Sequence, residues 1–206
     1  MRLAVSVLPV GFAFAVTIVL ALALSVQGAP ARPKHVNTAA MTQAFIGAAA
    51  AGNLRKMQIL LSEGANAAAT DESGVSALTL AADGGQIRSV NFLFDHGVSA
   101  KDKNGDEALF TAIEDGNTGI VKALLRHGAN VNAKRSDGAT PLMIACFYDT
   151  GEDGVVSQSP ESVRLLLLHK ADVKAKDSHG KTALMYLENV PDARIRRMLL
   201  KAGATQ

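Results

Sequence analysis

The sequence predicts an all-α fold: a solenoid of about five helix–turn–helix units joined by short finger turns. Three observations predict it. First, a turn glycine followed by a small residue and leucine recurs along the chain. It stands at Asp71-Glu72-Ser73-Gly74-Val75-Ser76-Ala77-Leu78, at Asp102-Lys103-Asn104-Gly105-Asp106-Glu107-Ala108-Leu109, at Arg135-Ser136-Asp137-Gly138-Ala139-Thr140-Pro141-Leu142 and at Asp177-Ser178-His179-Gly180-Lys181-Thr182-Ala183-Leu184. The turn glycines Gly74, Gly105, Gly138 and Gly180 are separated by 31, 33 and 42 residues, a period at which one supersecondary unit repeats and stacks. Second, another glycine series closes the units at Gly64, Gly97, Gly128 and Gly203, with Lys170 in the fourth slot. Third, hydrophobic residues make up 48% of the chain while aromatics are 4% and Trp is absent. A core of Ala and Leu suits closely packed helices better than a β-sandwich.

Residues 1–28 read as an export leader. Arg2 precedes an apolar run from Leu3 to Val26, and small residues follow at Ser25, Gly28 and Ala29. That order is a secretory signal pattern, with cleavage expected after Gly28. The alternative is an uncleaved anchor, because about 20 apolar residues span a bilayer. Arg32, Lys34 and His35 just beyond the run weaken the charge asymmetry that would orient it. No Cys follows to carry a lipid. Residues 29–38, with Pro30 and Pro33, read as an extended linker, and residues 39–206 hold the repeats.

Each unit contains two apolar-periodic stretches, such as 77–83 and 87–96, with a glycine such as Gly85 or Gly116 between them. Thr140-Pro141 and Ser159-Pro160 are helix starts: a capping side chain, then a proline where no backbone donor is needed. Gly97 and Gly128 suit left-handed helix ends. Asn104-Gly105 and Asp137-Gly138 suit tight turns at the fingers. The spacing of 31 implies a shorter finger near residues 99–101, and the spacing of 42 implies an insertion at 150–158 between the helices of the fourth unit. The first unit lacks the turn motif and is rich in alanine at 48–51. The last carries Arg194, Arg196 and Arg197, which wet its outer face and end the stacking.

Charge and cysteine content narrow the function. Lys and Arg total 21 against 19 Asp and Glu, a net charge of +2, or +1 without the leader's Arg2. That excludes a strongly basic nucleic-acid binder and an acidic disordered tail. The single cysteine, Cys146, excludes an internal disulfide framework and a Cys-rich zinc site. It falls in a small-residue slot and reads as a buried, inert thiol.

Several motifs imitate chemistry. Residues 175–182 resemble a phosphate loop with Ala175 in place of its first glycine, but the repeat puts them on a finger rather than between a strand and a long helix. His96, His127 and His169 share one slot at the helix ends. Neighbouring helices pack about 8–10 Å apart, too far for a shared metal, so these residues read as partners of C-terminal carbonyls. His35 and His179 have no evident partner. The segment Asp149-Thr150-Gly151-Glu152-Asp153-Gly154 has some calcium-loop character but too few oxygens in the right order. No nucleophile–base pair, paired acids or His-Glu-x-x-His appears beyond what the repeat explains. No enzyme activity, cofactor or metal is expected.

The recurring residues resemble the ankyrin repeat family. They are Gly138-Ala139-Thr140-Pro141-Leu142, Gly180-Lys181-Thr182-Ala183-Leu184, Leu60-Leu61-Ser62-Glu63-Gly64-Ala65, Leu124-Leu125-Arg126-His127-Gly128-Ala129 and Gly128-Ala129-Asn130-Val131-Asn132-Ala133, over roughly residues 38–206. The resemblance implies a concave face, made by the fingers and inner-helix edges, that binds another protein. By register, the candidate partner-binding residues are Asp83, Glu114, Asp115, Phe147 and Tyr148 on the inner-helix ends, and Lys103, Asp106, His179 and Lys181 on the fingers. Glu72, Ser73, Val75, Asn104, Ser136, Asp137, Ala139 and Ser178 share the fingers, and Gly84, Asn189 and Val190 share the helix ends. Phe147 and Tyr148 stand where a solvated residue is expected, which marks them as anchors. The alternative is that the insertion starting at Asp149 folds over them and they belong to the core. Lys101, Lys103, Lys134, Arg135, Lys174, Lys176 and Lys181 form a basic fringe interleaved with acids, which reads as a solubility device.

The expected function is a non-enzymatic, exported (periplasmic or secreted) protein-binding module, monomeric on its own. It engages no nucleic acid, and a membrane only if residues 1–28 are retained. The alternatives are an inhibitor, immunity or protective subunit for an exported enzyme, and a membrane-tethered scaffold.

Overall fold

Short polar side chains start the helices. Asn53 accepts a hydrogen bond from the Lys56 N–H, Ser76 from Thr79, Asp102 from Gly105, Thr140 from Met143 and Ser159 from Ser162, each satisfying a donor that the first helical turn leaves open. Proline follows the cap in the helices starting at Pro141 and Pro160. The computed structural model describes residues 38–147, 159–187 and 193–205. The leader, the linker up to residue 37, Tyr148, the insertion at 150–158 and its Asp149 start, Asn189 and Val190 lie outside the described residues. Thr38, assigned from the sequence to the end of the linker, is the first residue of a helix.

Among the described residues there are nine α-helices: α1 Thr38–Ala50, α2 Leu54–Ser62, α3 Ala77–Asp83, α4 Ile87–Asp95, α5 Lys103–Glu114, α6 Thr118–Arg126, α7 Pro141–Cys146, α8 Pro160–Leu168 and α9 Ala193–Lys201. A 3-10 turn, Met185–Leu187, stands before α9. The helices form two layers. The inner layer is α1, α3, α5, α7 and the 3-10 turn; the outer layer is α2, α4, α6, α8 and α9; each element packs on the next in its layer, and each inner helix packs on its outer pair. The core lies between the layers. Leu78, Leu109, Leu142 and Leu184 supply it at one inner register, and Leu93, Leu124, Leu166 and Leu199 at one outer register, all buried. Fully burying a leucine is worth about 1.5–3 kcal/mol, and a lone unit would leave one flank of each in water, so the stack is the folding unit. Ala81, Ala112 and Ala145 are each fully buried, and their small size lets the inner helices approach closely.

The outer helices are all nine residues long, whereas the inner elements run to 13, 7, 12, 6 and 3 residues. Variation is therefore confined to the layer that carries the fingers. Three fingers share one hairpin. Asp71, Arg135 and Asp177 each donate their N–H to the carbonyl four residues on and accept, at their own carbonyl, the N–H of the glycine three residues on.

The third finger departs from the sequence reading. Asn104-Gly105 is not a tight turn: Gly105 is the third residue of α5, and it does not have positive φ. Only 12 residues separate Gly97 from Leu109, against 14 from Gly64 to Leu78 and from Gly128 to Leu142, too few for the hairpin. The chain instead turns into helix at Lys103, with Asp102 as its cap. Gly105 is required for another reason. A Cβ there would lie 2.1 Å from the Ala100 carbonyl oxygen. Lys103, Asn104 and Asp106 consequently sit on the first turn of α5 and not on a finger.

The last unit also departs from the expected helix pair. Its inner element is a single 3-10 turn, and the buried Thr182 hydroxyl, in the slot where Ser76 and Thr140 cap helices, has no hydrogen-bond partner. Residues 175–182 form a finger closed by Asp177 N–H to Lys181 O at 3.1 Å, as the repeat reading requires. At the unit ends, Gly97 and Gly128 have φ of 81° and 89°, and Lys170 is held at 66° in the same slot. No helix among the described residues is long and apolar enough to cross a membrane.

Candidate interaction face

The inner layer and its fingers present one continuous surface, built by register. Asp83, Glu114 and Phe147 occupy the same inner-helix position, as the last residues of α3 and α5 and the residue that ends α7. Leu80, Thr111, Ile144 and Tyr186 occupy the position three residues earlier. Asp83, Glu114 and Asp115 are exposed. Phe147 is 41% exposed, so it is not part of the described core. Tyr148, its expected companion, lies outside the described residues.

The aromatic partner that the structure gives Phe147 is Tyr186. The rings meet edge to face, 5.8 Å between centroids. The Tyr186 hydroxyl donates to Asp177 Oδ2 at 2.5 Å, and Asp177 Oδ1 accepts the N–H groups of His179 and Lys181 at 2.8 Å each. One buried carboxylate thus fixes both the last finger and the groove aromatic. The hydrogen bond from Tyr186, followed by those from the backbone, holds the Asp177 carboxyl below its usual range. The same bond, with burial and the negative charge of Asp177, pushes the Tyr186 phenol up to about 12. Lys181 Nζ lies 5.7 Å from the Tyr186 ring centroid. Lys181 and His179 are exposed on this finger.

Sequence reasoning passed over Tyr186 because it attended to the ends of the inner helices. The signal was the register: Tyr186 aligns with Ile144 and Thr111, positions facing the same surface.

The middle of the face is tied together by Arg135, which sequence reasoning placed only in a basic fringe. Where other fingers start with Asp, the Arg135 backbone closes the same turn but its side chain reaches away from it. It donates from Nη1 and Nη2 to the two carboxylate oxygens of Glu114 at 2.6 Å each and lies over the Phe110 ring, 4.6 Å from its centroid. A planar guanidinium suits both contacts. Glu114 is therefore an internal partner of the fourth finger. Beside it a cleft of about 460 Å3, lined by Lys103, Asp106, Glu107, Phe110, Lys134, Arg135 and Ser136, occupies the place of the absent third finger. Asp106 reaches across to accept the Asn130 N–H at 3.3 Å. Its carboxyl is raised by burial, an effect opposed by that bond and reinforced by Asp102. Asp115 is raised as well, by burial first and then by Asp83 and Glu114. A second cleft, of about 620 Å3, lies between the start of α1 and the finger residues Asp71, Glu72 and Ser73.

The remaining candidates fall where the repeat puts them. Cys146 is fully buried, and burial raises its thiol to about 12, the reverse of what a nucleophile needs. His96 uses Nδ1 on the Phe92 carbonyl at 2.8 Å, the expected helix-end role. His127 stacks on Phe94 instead, 3.9 Å between centroids and 7° between planes. Among the described residues no three His, Cys, Asp or Glu side chains converge as metal ligands.

Two family models match the chain. The model for ankyrin repeats in three copies covers residues 45–135 and 90–157, and the single ankyrin repeat model covers 137–178. No curated protein matches it. Ankyrin repeats are protein–protein interaction modules, generally without enzymatic activity. The matched segments span well over half of the sequence and coincide with the two-layered stack of helix pairs, so the chain belongs to the ankyrin repeat family.

Proposed function

We propose that this chain is an exported, non-enzymatic binding protein that grips a partner protein through its inner, finger-bearing face. The observation that carries this reading is exposed Phe147 on that face, set edge to face on the partly buried Tyr186. Aromatic side chains at the centre of a rigid surface are the usual anchors of protein interfaces, each contributing large contact area for little ordering entropy. Phe147 and Tyr148 are the anchors that the sequence indicates, and Tyr186 extends them. Asp83, Asp115, Lys103, Asp106, His179 and Lys181 surround the anchor, with Glu114 acting through Arg135. Export rests on the leader pattern of residues 1–28, with the linker running to residue 37 and the binding domain starting at Thr38.

Cross-linked capture from the exported fraction, comparing wild type with Phe147→Ala, tests the reading. A protein retained by the wild type and lost with the variant supports it; retention of the same proteins by both removes Phe147 from the site. If the captured protein is an enzyme whose turnover changes on binding, the chain is an inhibitory or protective subunit. N-terminal sequencing of the mature chain checks export: a start near Ala29 rejects the tethered scaffold.

A further inference from the structure

Resting on the proposed binding face, we infer that its C-terminal half takes an acidic, extended segment of the partner, with an apolar side chain of that segment seated on Phe147 and Tyr186. Three observations carry this. The fingers change sign along the stack. Asp71 and Glu72 are the charged residues of the second unit's finger, while Lys134, Lys176 and Lys181 stand exposed on or beside the fourth and fifth fingers. Of the acids on those two fingers, Asp177 is buried beneath three hydrogen bonds, while Asp137 stays exposed with Oδ1 on the Ala139 N–H at 2.9 Å. The exposed lysines outnumber that carboxylate, so what these fingers present to a partner is net cationic beside an aromatic pair.

The second observation is the absent third finger. The cleft of about 460 Å3 in its place is bordered by Lys103 and Lys134, and it leaves a path for an extended chain between α5 and the fourth finger. The third is the opposite charge at the other end. Asp83 and Asp115 raise the field against anions there, so an acidic segment gains at units four and five and is repelled at units two and three. The opposite charges place the segment over units four and five and away from units two and three. Asp106 and Glu107 interleave with Lys103 and Lys134 in the cleft, which favours a peptide whose carboxylates are spaced to meet the lysines over a polyanion of uniform charge such as a nucleic acid.

The test is selection of a random 12-residue peptide library displayed on phage against the full repeat domain, followed by fluorescence anisotropy of the enriched peptides. The expected result is enrichment of sequences with an excess of Asp and Glu flanking Phe, Leu, Ile or Tyr. Their affinity should fall tenfold or more with Lys134→Glu/Lys181→Glu, and by a similar factor with Phe147→Ala. It should also weaken as salt is raised, and Arg88→Glu on the outer layer should leave it unchanged. Circular dichroism of each variant confirms that the fold is retained. Enriched peptides that are neutral or basic, yet still lost with Phe147→Ala, overturn the acidic-segment inference and leave the binding face standing. Peptides indifferent to every inner-face substitution, or no enrichment at all, overturn both. Labelled dT12 binding as tightly as the best peptide, and lost with the same charge reversals, also overturns it in favour of a nucleic acid.

Discussion

Replacing Gly105 by alanine tests the account of the missing third finger, because two effects of opposite sign act there and the structure says which is larger. In an open helical position, Gly→Ala stabilises by up to about 1 kcal/mol through backbone entropy. At Gly105 the new Cβ would stand 2.1 Å from the Ala100 oxygen, 2.4 Å from its carbonyl carbon and 2.5 Å from its Cα. All three are backbone atoms, so no side chain can rotate away. Overpacking of this kind costs about 1–3 kcal/mol, and Ala100 is itself fully buried, which limits relaxation. The propensity gain is smaller than usual because Gly105 lies in the first turn of α5. The net expectation is a loss of about 1–2 kcal/mol, or a fall in Tm of about 2–8 °C for a domain of this size.

Gly47 in α1 and Gly119 in α6 provide the internal controls, since nothing lies within 4 Å of a Cβ built at either. Gly47→Ala should stabilise by about 0.5–1 kcal/mol, and Gly119→Ala, in the first turn of α6, by a smaller amount of the same sign. Urea unfolding followed by circular dichroism at 222 nm ranks the four proteins. If Gly105→Ala were as stable as the controls, residues 102–105 would form a turn away from Ala100, as the sequence alone implied, and the helical third unit would be wrong.

Four further outcomes follow from the same geometry. Lys170→Gly should stabilise by about 1 kcal/mol, because a residue with a Cβ is strained at a positive φ of 66°; equal urea midpoints would refute it. In a Tyr148→Phe background, ultraviolet titration should give Tyr186 a pKa of about 12, returning toward the ordinary value in Asp177→Asn. Because the folded pKa is raised above the unfolded value near 10, this contact stabilises fully below pH 10 and its contribution is lost as pH rises through about 12, a loss that Tyr186→Phe should not show. Since Asp115 is raised by burial and by Asp83 and Glu114, stability from this carboxyl is greatest while it is protonated and declines as pH rises through its folded pKa, so Asp83→Asn should reduce that decline in a urea series from pH 3 to 6. A double-mutant cycle on Arg135→Met and Glu114→Gln should give a coupling of about 0.5–1 kcal/mol, as for a bidentate pair with partial exposure; no coupling would mean that Arg135 does not fasten the fourth finger to α5.

The sequence by itself determined the class of the fold and the boundaries of its regular parts. Glycine punctuation, capping residues and the Leu register act within a few residues of chain, so Ala77–Asp83, the starts at Pro141 and Pro160 and the closing turns at Gly97 and Gly128 were legible from local chemistry. The burial of Cys146 followed from its register for the same reason. Contacts between units were not legible. Whether Asn104-Gly105 turns or continues into helix depends on where the Ala100 carbonyl lies after two residues are lost. The pairing of Arg135 with Glu114 spans 21 residues, and Phe147 meets Tyr186 across a unit boundary. A periodic sequence encodes each unit against its own neighbours in the chain. Only stacking brings side chains of adjacent units within reach of one another, and it is those meetings that give the inner face its charge pattern and its aromatic pair.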